Sequence, residues 1–257
     1  MNWKAINDQE LENLAMLLRQ EMQVPFTEPI ILEKVIREKH ILAYFQPMSD
    51  QLSGMAIVVG QDANIFRFML VNTNHQFCKQ RFTACHEIYH LLYQKEFASV
   101  VEKGHITDTD DVEETRANHF ASALLLPEIG LRMLIPIEQQ RKDTITMPTL
   151  MMLQYRFLCS HTALLYRLLR LGYISKGYLD SMNGDVKKHV MEYGYNPSLY
   201  RPTKKTELWG DYNLLARQLL DKGIITEEKY NAAVTVITPI EAHTEERKTV
   251  CSSLAIR

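Results

Sequence analysis

The sequence predicts an α+β fold: a small antiparallel sheet packed on one helix, with a second helix laid against it. A helix-turn-helix-like segment and a mostly helical C-terminal region follow. Three observations carry this. Short stretches at 41–45 (ILAYF), 54–59 (GMAIVV) and 65–71 (IFRFMLV) are rich in β-branched and aromatic residues, and turn formers at 47–54 and 60–64 separate them, as strands require. Apolar residues return at helical spacing over 76–93 and again over 112–126, where Pro127 closes the run. Two more helical stretches, 148–158 and 161–171, come in quick succession, with Gly172 as a natural stop.

The remaining elements fill in around these. Leu11, Leu14, Leu17 and Leu18 give 8–22 one apolar face, with Asp8 as an N-cap and Pro25 beyond its end. Ile31, Val35 and Ile36 do the same for a short helix over 30–39. A polar loop at 101–111, with Gly104 inside it, joins the two long helices. The stretch 182–206 is polar and rich in Tyr, Asn and Pro, and reads as a linker or loose cap. A helix at 211–222, a turn at Gly223 and a helix opened by Thr226, Glu227 and Glu228 close the chain, and the last dozen residues read as frayed. The expected units are 1–144, 145–182 (helix-turn-helix-like) and 183–257.

Composition narrows the class. The chain has 257 residues, 46% of them hydrophobic, enough for a sizeable core. A formal net charge of -2 argues against a nucleic-acid coat protein or a polybasic membrane binder. The four cysteines, Cys78, Cys85, Cys159 and Cys251, form no CxxC pair and read as reduced thiols. The polar start MNWKAINDQE is no signal peptide, and no apolar run approaches the roughly 20 residues of a membrane span. The expectation is a soluble cytoplasmic protein without a membrane partner.

The chemistry lies in RFTACHEIYHLLY at 81–93, which contains His86-Glu87-Ile88-Tyr89-His90, an HExxH motif. On a helix, positions i and i+4 lie about 40° apart around the axis, so both imidazoles project from one face and can share one cation. Glu87 sits on the flank of that face, free to hold a water molecule, as metal-assisted hydrolysis needs. A catalytic zinc takes three protein ligands and keeps a fourth position open. For the third ligand, 112–126 places Glu114, Ala117, Asn118, Ala121 and Leu125 on one face. Glu114 is the best placed carboxylate; Glu113 and Asp111 are rivals that also serve as first-turn charge, and spacing alone leaves the choice open. His119 reads as a packing or surface residue. His105 reads as a solvated loop histidine that could still reach the cleft. Tyr89 should leave the helix away from the metal.

These residues resemble the ImmA/IrrE family of bacterial metallopeptidases. LSGMAIVV followed by RFTACHEIYHLLY is similar to the family's strand leading into RFTxAHExGH, and ETRANHFASALLLP at 114–127 resembles its E-x-x-A-N-x-F-A-A-x-L-L-x-P. The helix pair ending RFLCSHTALLYRLLRLGYIS resembles the family's helix-turn-helix segment, and LLARQLLDKGIITEEKYNAAV its C-terminal helices. The resemblance implies a zincin-like domain with Glu114 as third ligand beside His86 and His90, and Glu87 as general base. Zn2+ is the implied metal, and a His2Glu set also admits Mn2+. It further implies a protein substrate, a cytosolic helix-turn-helix repressor of the XRE type, whose cleavage derepresses mobile-element or stress genes. This chain departs from the family in Tyr89, where Gly is usual, in Cys85 for Ala, and in Leu158-Cys159, where Gly-Val is common.

Two other readings compete. The 148–171 helices could read DNA through His161, Arg167 and Arg170, although HTALLYRLLRL offers few base-reading side chains and a packing or substrate-docking role is favoured. A metal-holding sensor that binds without cutting is the other, and it has no need of Glu87. Asn118 is expected to orient a ligand from behind.

Overall fold

In the computed structural model, which describes residues 8–60, 65–94, 99–103, 112–184 and 186–235, the chain folds around one five-stranded sheet and two central helices. Helix α1 (Asp8–Glu21) and the short α2 (Leu32–Glu38) precede β1 (Ile41–Gln46), β2 (Leu52–Val59) and β3 (Phe66–Asn72). Then come α3 (Phe77–Leu92), β4 (Ser99–Lys103), α4 (Val112–Leu125), α5 (Glu128–Leu134), α6 (Met147–Phe157), α7 (His161–Arg170), α8 (Lys176–Met182), α9 (Val186–Glu192), β5 (Glu207–Trp209), α10 (Tyr212–Asp221) and α11 (Glu227–Thr235). The expected frayed tail lies outside the described residues. None of the described helices is long and apolar enough to cross a membrane.

The sheet corrects one expectation: it is mixed, not antiparallel. Its order is β4-β2-β3-β1-β5, with β3 antiparallel to β2 but parallel to β1. The chain leaves β1, passes over the slot that β3 will fill, forms β2, and turns back. Asparagine side chains hold that crossing, Asn74 donating to Met48 O (2.6 Å). Asn72, fully buried at the end of β3, donates to Ser49 O (2.8 Å) and Leu52 O (2.7 Å), and its Oδ1 accepts from the backbone N–H of Met48 (2.9 Å) and Asn74 (2.9 Å). Every polar atom of a buried amide is thus used, which is the condition for placing one in a core. Two strands were not anticipated. β4 pairs with β2, and the three-residue β5 pairs antiparallel with β1, where Trp209 lies 4.3 Å from the Phe45 ring.

The alternation of β1 turns Ile41, Ala43 and Phe45 inward, onto a core shared with Ala56, Met69 and Val71 of the neighbouring strands and with Ala84, Cys85 and Ile88 of α3. The core continues without a break through Phe120 and Leu124 of α4 into Leu153 and Phe157 of α6 and Leu164 and Leu168 of α7. Each such side chain contributes on the order of 2 kcal/mol by leaving water. The α6–α7 turn passes through Leu158 in the left-handed region (φ 55), and Ser160 caps α7 by accepting from Ala163 N (3.1 Å). Gly172 (φ 79) ends α7 as expected.

The stretch expected to be a linker packs instead. α9 and a 3-10 turn (Pro197–Tyr200) bury Val190 and Leu199 against Cys78, Met151 and Tyr155, and Tyr195 stacks on Tyr155 at 4.3 Å. Tyrosines and asparagines make the segment look polar in sequence, yet the rings supply apolar area while their hydroxyls find partners. Tyr155 donates to Asn196 O (2.7 Å) and Tyr200 to the Gln154 side chain.

Candidate metal centre

Helix α3 carries the HExxH motif and is buried almost all round. Arg81, His86, Glu87 and His90 join Ala84, Cys85, Ile88 and Tyr89 among its buried residues. A helix enclosed on every side needs close neighbours. Small residues make this possible: Ala117 and Ala121 of α4 are fully buried, and Gly54 of β2 approaches the Glu87 carboxylate and Thr83 from the sheet side. Arg81, buried on this helix, donates to Ile30 O (2.9 Å).

Three side chains converge between α3 and α4. The Nε2 atoms of His86 and His90 are 3.0 Å apart. His86 Nε2 lies 3.1 Å from one Glu114 oxygen and His90 Nε2 lies 3.5 Å from the other. A tetrahedral zinc with bonds of about 2.0–2.1 Å spaces its ligand atoms about 3.3 Å apart, so this triangle has the dimensions of one tetrahedral face. Both rings are oriented from behind. His86 Nδ1 lies 3.1 Å from Asn118 Oδ1, and His90 Nδ1 lies 2.5 Å from Gln94 Oε1. A side-chain carbonyl oxygen only accepts, so both Nδ1 atoms carry the proton and both Nε2 atoms turn a lone pair toward the other. Two lone pairs and a carboxylate facing one point repel each other unless a cation sits there. The donor set therefore fits a divalent metal, and Glu87, fully buried, lies one residue from the first ligand position.

Without a metal, protons can balance the same set. Burial by itself raises the Glu114 carboxyl, but a hydrogen bond from a protonated His86 and the charges of protonated His86 and His90 outweigh it and hold the pKa below its ordinary value. Glu114 is a carboxylate in that state, and a metal would take the place of the protons on Nε2.

The rivals and neighbours are placed as well. Glu113 turns away and accepts from the Tyr89 hydroxyl (2.8 Å), which also accepts from Arg116 Nε (2.6 Å). Tyr89 thus leaves α3 toward α4, so its bulk does not come between the helix and the sheet. His119 is buried and pairs with Glu12 of α1 at 3.0 Å, a packing role. Asp111 and His105 lie outside the described residues. In the helix pair, His161 is buried between Gln154 (2.8 Å) and Met182 O (2.8 Å). Arg167 is 1% exposed, donating to Leu126 O (2.9 Å) and to both oxygens of Glu12. Two of the three side chains considered for phosphate contact are therefore spent inside the fold; Arg170 is exposed. Sequence reasoning missed Gln94, although it sits four residues after His90, the spacing that brings helical side chains together. It also missed Glu12, whose partners lie more than 100 residues away and carry no local signal.

Residues 43–169 match the family described as the IrrE N-terminal-like domain, a peptidase family. Comparison with curated proteins gives no match. The matched segment runs from β1 into α7 and contains His86, Glu87, His90 and Glu114, with the Asn118 and Gln94 that orient the two imidazoles. Over these residues the chain carries an IrrE N-terminal-like peptidase domain, which matches the resemblance to the ImmA/IrrE family.

Proposed function

We propose that the chain is a zinc-dependent endopeptidase of the gluzincin type, with His86, His90 and Glu114 as metal ligands and Glu87 as general base. The observation that carries this reading is the triangle of two Nε2 lone pairs and one carboxylate, held by Asn118 and Gln94, with a buried glutamate beside it. A structural metal site would need the three ligands and a fourth, but no carboxylate next to them.

A zinc ion held by His86, His90 and Glu114 would lower the pKa of a water in its open position toward neutrality and polarise the scissile carbonyl. Glu87 accepts a proton from the water as its oxygen bonds to the carbonyl carbon. It then delivers that proton to the departing amine nitrogen as the C–N bond breaks. Asn118 and Gln94 keep both imidazoles in the tautomer that leaves Nε2 bare. Manganese is the alternative metal for the same set.

The substrate on this reading is an extended protein segment that pairs with a sheet edge. The family resemblance supports a cytosolic helix-turn-helix repressor of the XRE type, with derepression of mobile-element or stress genes as the outcome. The burial of His161 and Arg167 favours a packing or docking role over DNA reading for the α6–α7 pair. Glu87→Gln tests the assignment. It is expected to retain one metal per chain and to lose cleavage of a candidate repressor; cleavage at the wild-type rate would remove Glu87 from the mechanism.

A further inference from the structure

We propose that Gly54 is a positioning residue for Glu87: the missing side chain on β2 is what lets the carboxylate take its place against the sheet. The inference rests on the reading of Glu87 as the base.

Gly54 lies inside β2, paired with Val71 of β3 and Glu102 of β4. A strand interior disfavours glycine, which brings no packing and a large loss of chain entropy. Glycine is tolerated at such a position for its backbone freedom or for the room it leaves. Gly54 is not among the residues with positive φ, so backbone freedom is not the reason. Room is. A Cβ at this position would lie 2.5 Å from Thr83 Cγ2, 2.7 Å from Glu87 Oε1 and 3.0 Å from Leu70 O. Two of these are closer than side-chain carbons approach other atoms. Glycines 172, 177, 194 and 223 meet nothing within 4 Å; Gly130 and Gly210 are crowded too, but chiefly against the backbone of Phe26 and Ile41, whereas the atoms nearest Gly54 belong to the Thr83 and Glu87 side chains.

The two close contacts differ in kind. Thr83 is a packing neighbour whose methyl can be removed. The Glu87 oxygen is the atom that must receive the proton. A methyl at position 54 pushes that oxygen aside, because the backbone of Leu70 blocks the other direction. A displacement near 1 Å costs a general base on the order of 100-fold in rate. The metal ligands are not among the atoms touched, so binding of the cation is untouched.

The test compares wild type, Gly54→Ala, Thr83→Ser, the double variant G54A/T83S and Glu87→Gln. The double variant relieves the clash with the threonine methyl and keeps the clash with the carboxylate, which protects the experiment if Gly54→Ala alone does not fold. The probes are Zn2+ itself, thermal unfolding, and a quenched-fluorescent peptide library for kcat and KM. Thr83→Ser is expected to behave as wild type. G54A/T83S is expected to keep its melting temperature and one zinc per chain, with kcat lower by about 10- to 100-fold and KM within about threefold. Its crystal structure is expected to show the Glu87 carboxylate displaced. A folded, zinc-loaded G54A/T83S with wild-type kcat or an unmoved carboxylate overturns the proposal, and so does loss of zinc, which would place the effect on the metal set. Failure of the wild type itself to cut any library member overturns the peptidase reading instead, and the carboxylate position still decides the role of Gly54.

Discussion

Asn118 Oδ1 lies 3.1 Å behind His86 Nδ1, joining α3 and α4 through a ring whose other nitrogen faces His90 and Glu114. The contact sets the tautomer of His86 and makes its ligating nitrogen more basic. Asn118→Ala is expected to weaken zinc binding by about 10- to 100-fold with little change in global stability. Gln94→Ala should do the same to His90, whose Nδ1 sits 2.5 Å from the Gln94 oxygen. Competition with a zinc indicator at fixed pH measures both. Unchanged affinity in the two variants would show that helix packing alone orients the rings.

Tyr89 replaces the family's usual glycine and binds α3 to α4 through Glu113 and Arg116. The hydroxyl is engaged and the ring packs 5.8 Å from Phe120. Tyr89→Phe is therefore expected to cost about 1–2 kcal/mol, the price of two charge-assisted hydrogen bonds. Tyr89→Gly, which restores the family residue, is expected to cost about 4 kcal/mol, since it also empties a ring-sized space. Urea unfolding of metal-free protein separates the two values. Equal losses would mean that the hydroxyl contacts dominate and the ring contributes nothing.

Some of this was legible in the chain and some was not, for identifiable reasons. The spacing of His86 and His90 places two donors on one helical face whatever surrounds it, and the ETRAN run brought Glu114 forward over Glu113. The parallel pairing of β1 with β3 depends on Asn72 tying down a loop more than 20 residues earlier in the chain, and no local pattern announces such a bond. β5 is three residues long and exists because β1 offers an open edge and Phe45 a ring for Trp209 to cover. The 182–206 stretch looked loose because Tyr155, Tyr195 and Tyr200 bury apolar rings under polar names.

Glu12 makes stability depend on pH at the acid end. Burial by itself raises its carboxyl, but hydrogen bonds from Arg167 and His119, with their charges, bring it from 4.5 down to about 2. The folded chain thus holds a carboxylate where the unfolded chain binds a proton. The contribution is complete above about pH 4.5 and is lost as pH falls through about 2. It amounts to no more than roughly 3 kcal/mol once partial exposure of the carboxylate is allowed for. Glu12→Gln is expected to flatten the slope of stability across that window and to lower stability at neutral pH by about 3 kcal/mol, because Arg167 stays buried without its carboxylate. Urea midpoints between pH 2 and 7 measure both effects, and an unchanged slope would assign the acid sensitivity to another group.

Metal linkage distinguishes the ligands from the base without any substrate. A cation that binds only the folded chain stabilises it by RT ln(1 + [Zn]/Kd), about 4 kcal/mol at a thousandfold excess over Kd. For a chain of this size that corresponds to a rise of roughly 8–16 °C in Tm. Wild type is expected to show the rise on adding zinc and to lose it with a chelator. His86→Ala, His90→Ala and Glu114→Ala each remove one vertex of the 3.0–3.5 Å triangle and are expected to abolish most of it. Glu87→Gln removes no vertex and is expected to keep it in full. If Glu114→Ala retained the whole zinc-dependent rise while a histidine variant lost it, the carboxylate of Glu114 would not be a ligand, and the fit of the three atoms to a tetrahedral face would be a coincidence of packing between α3 and α4.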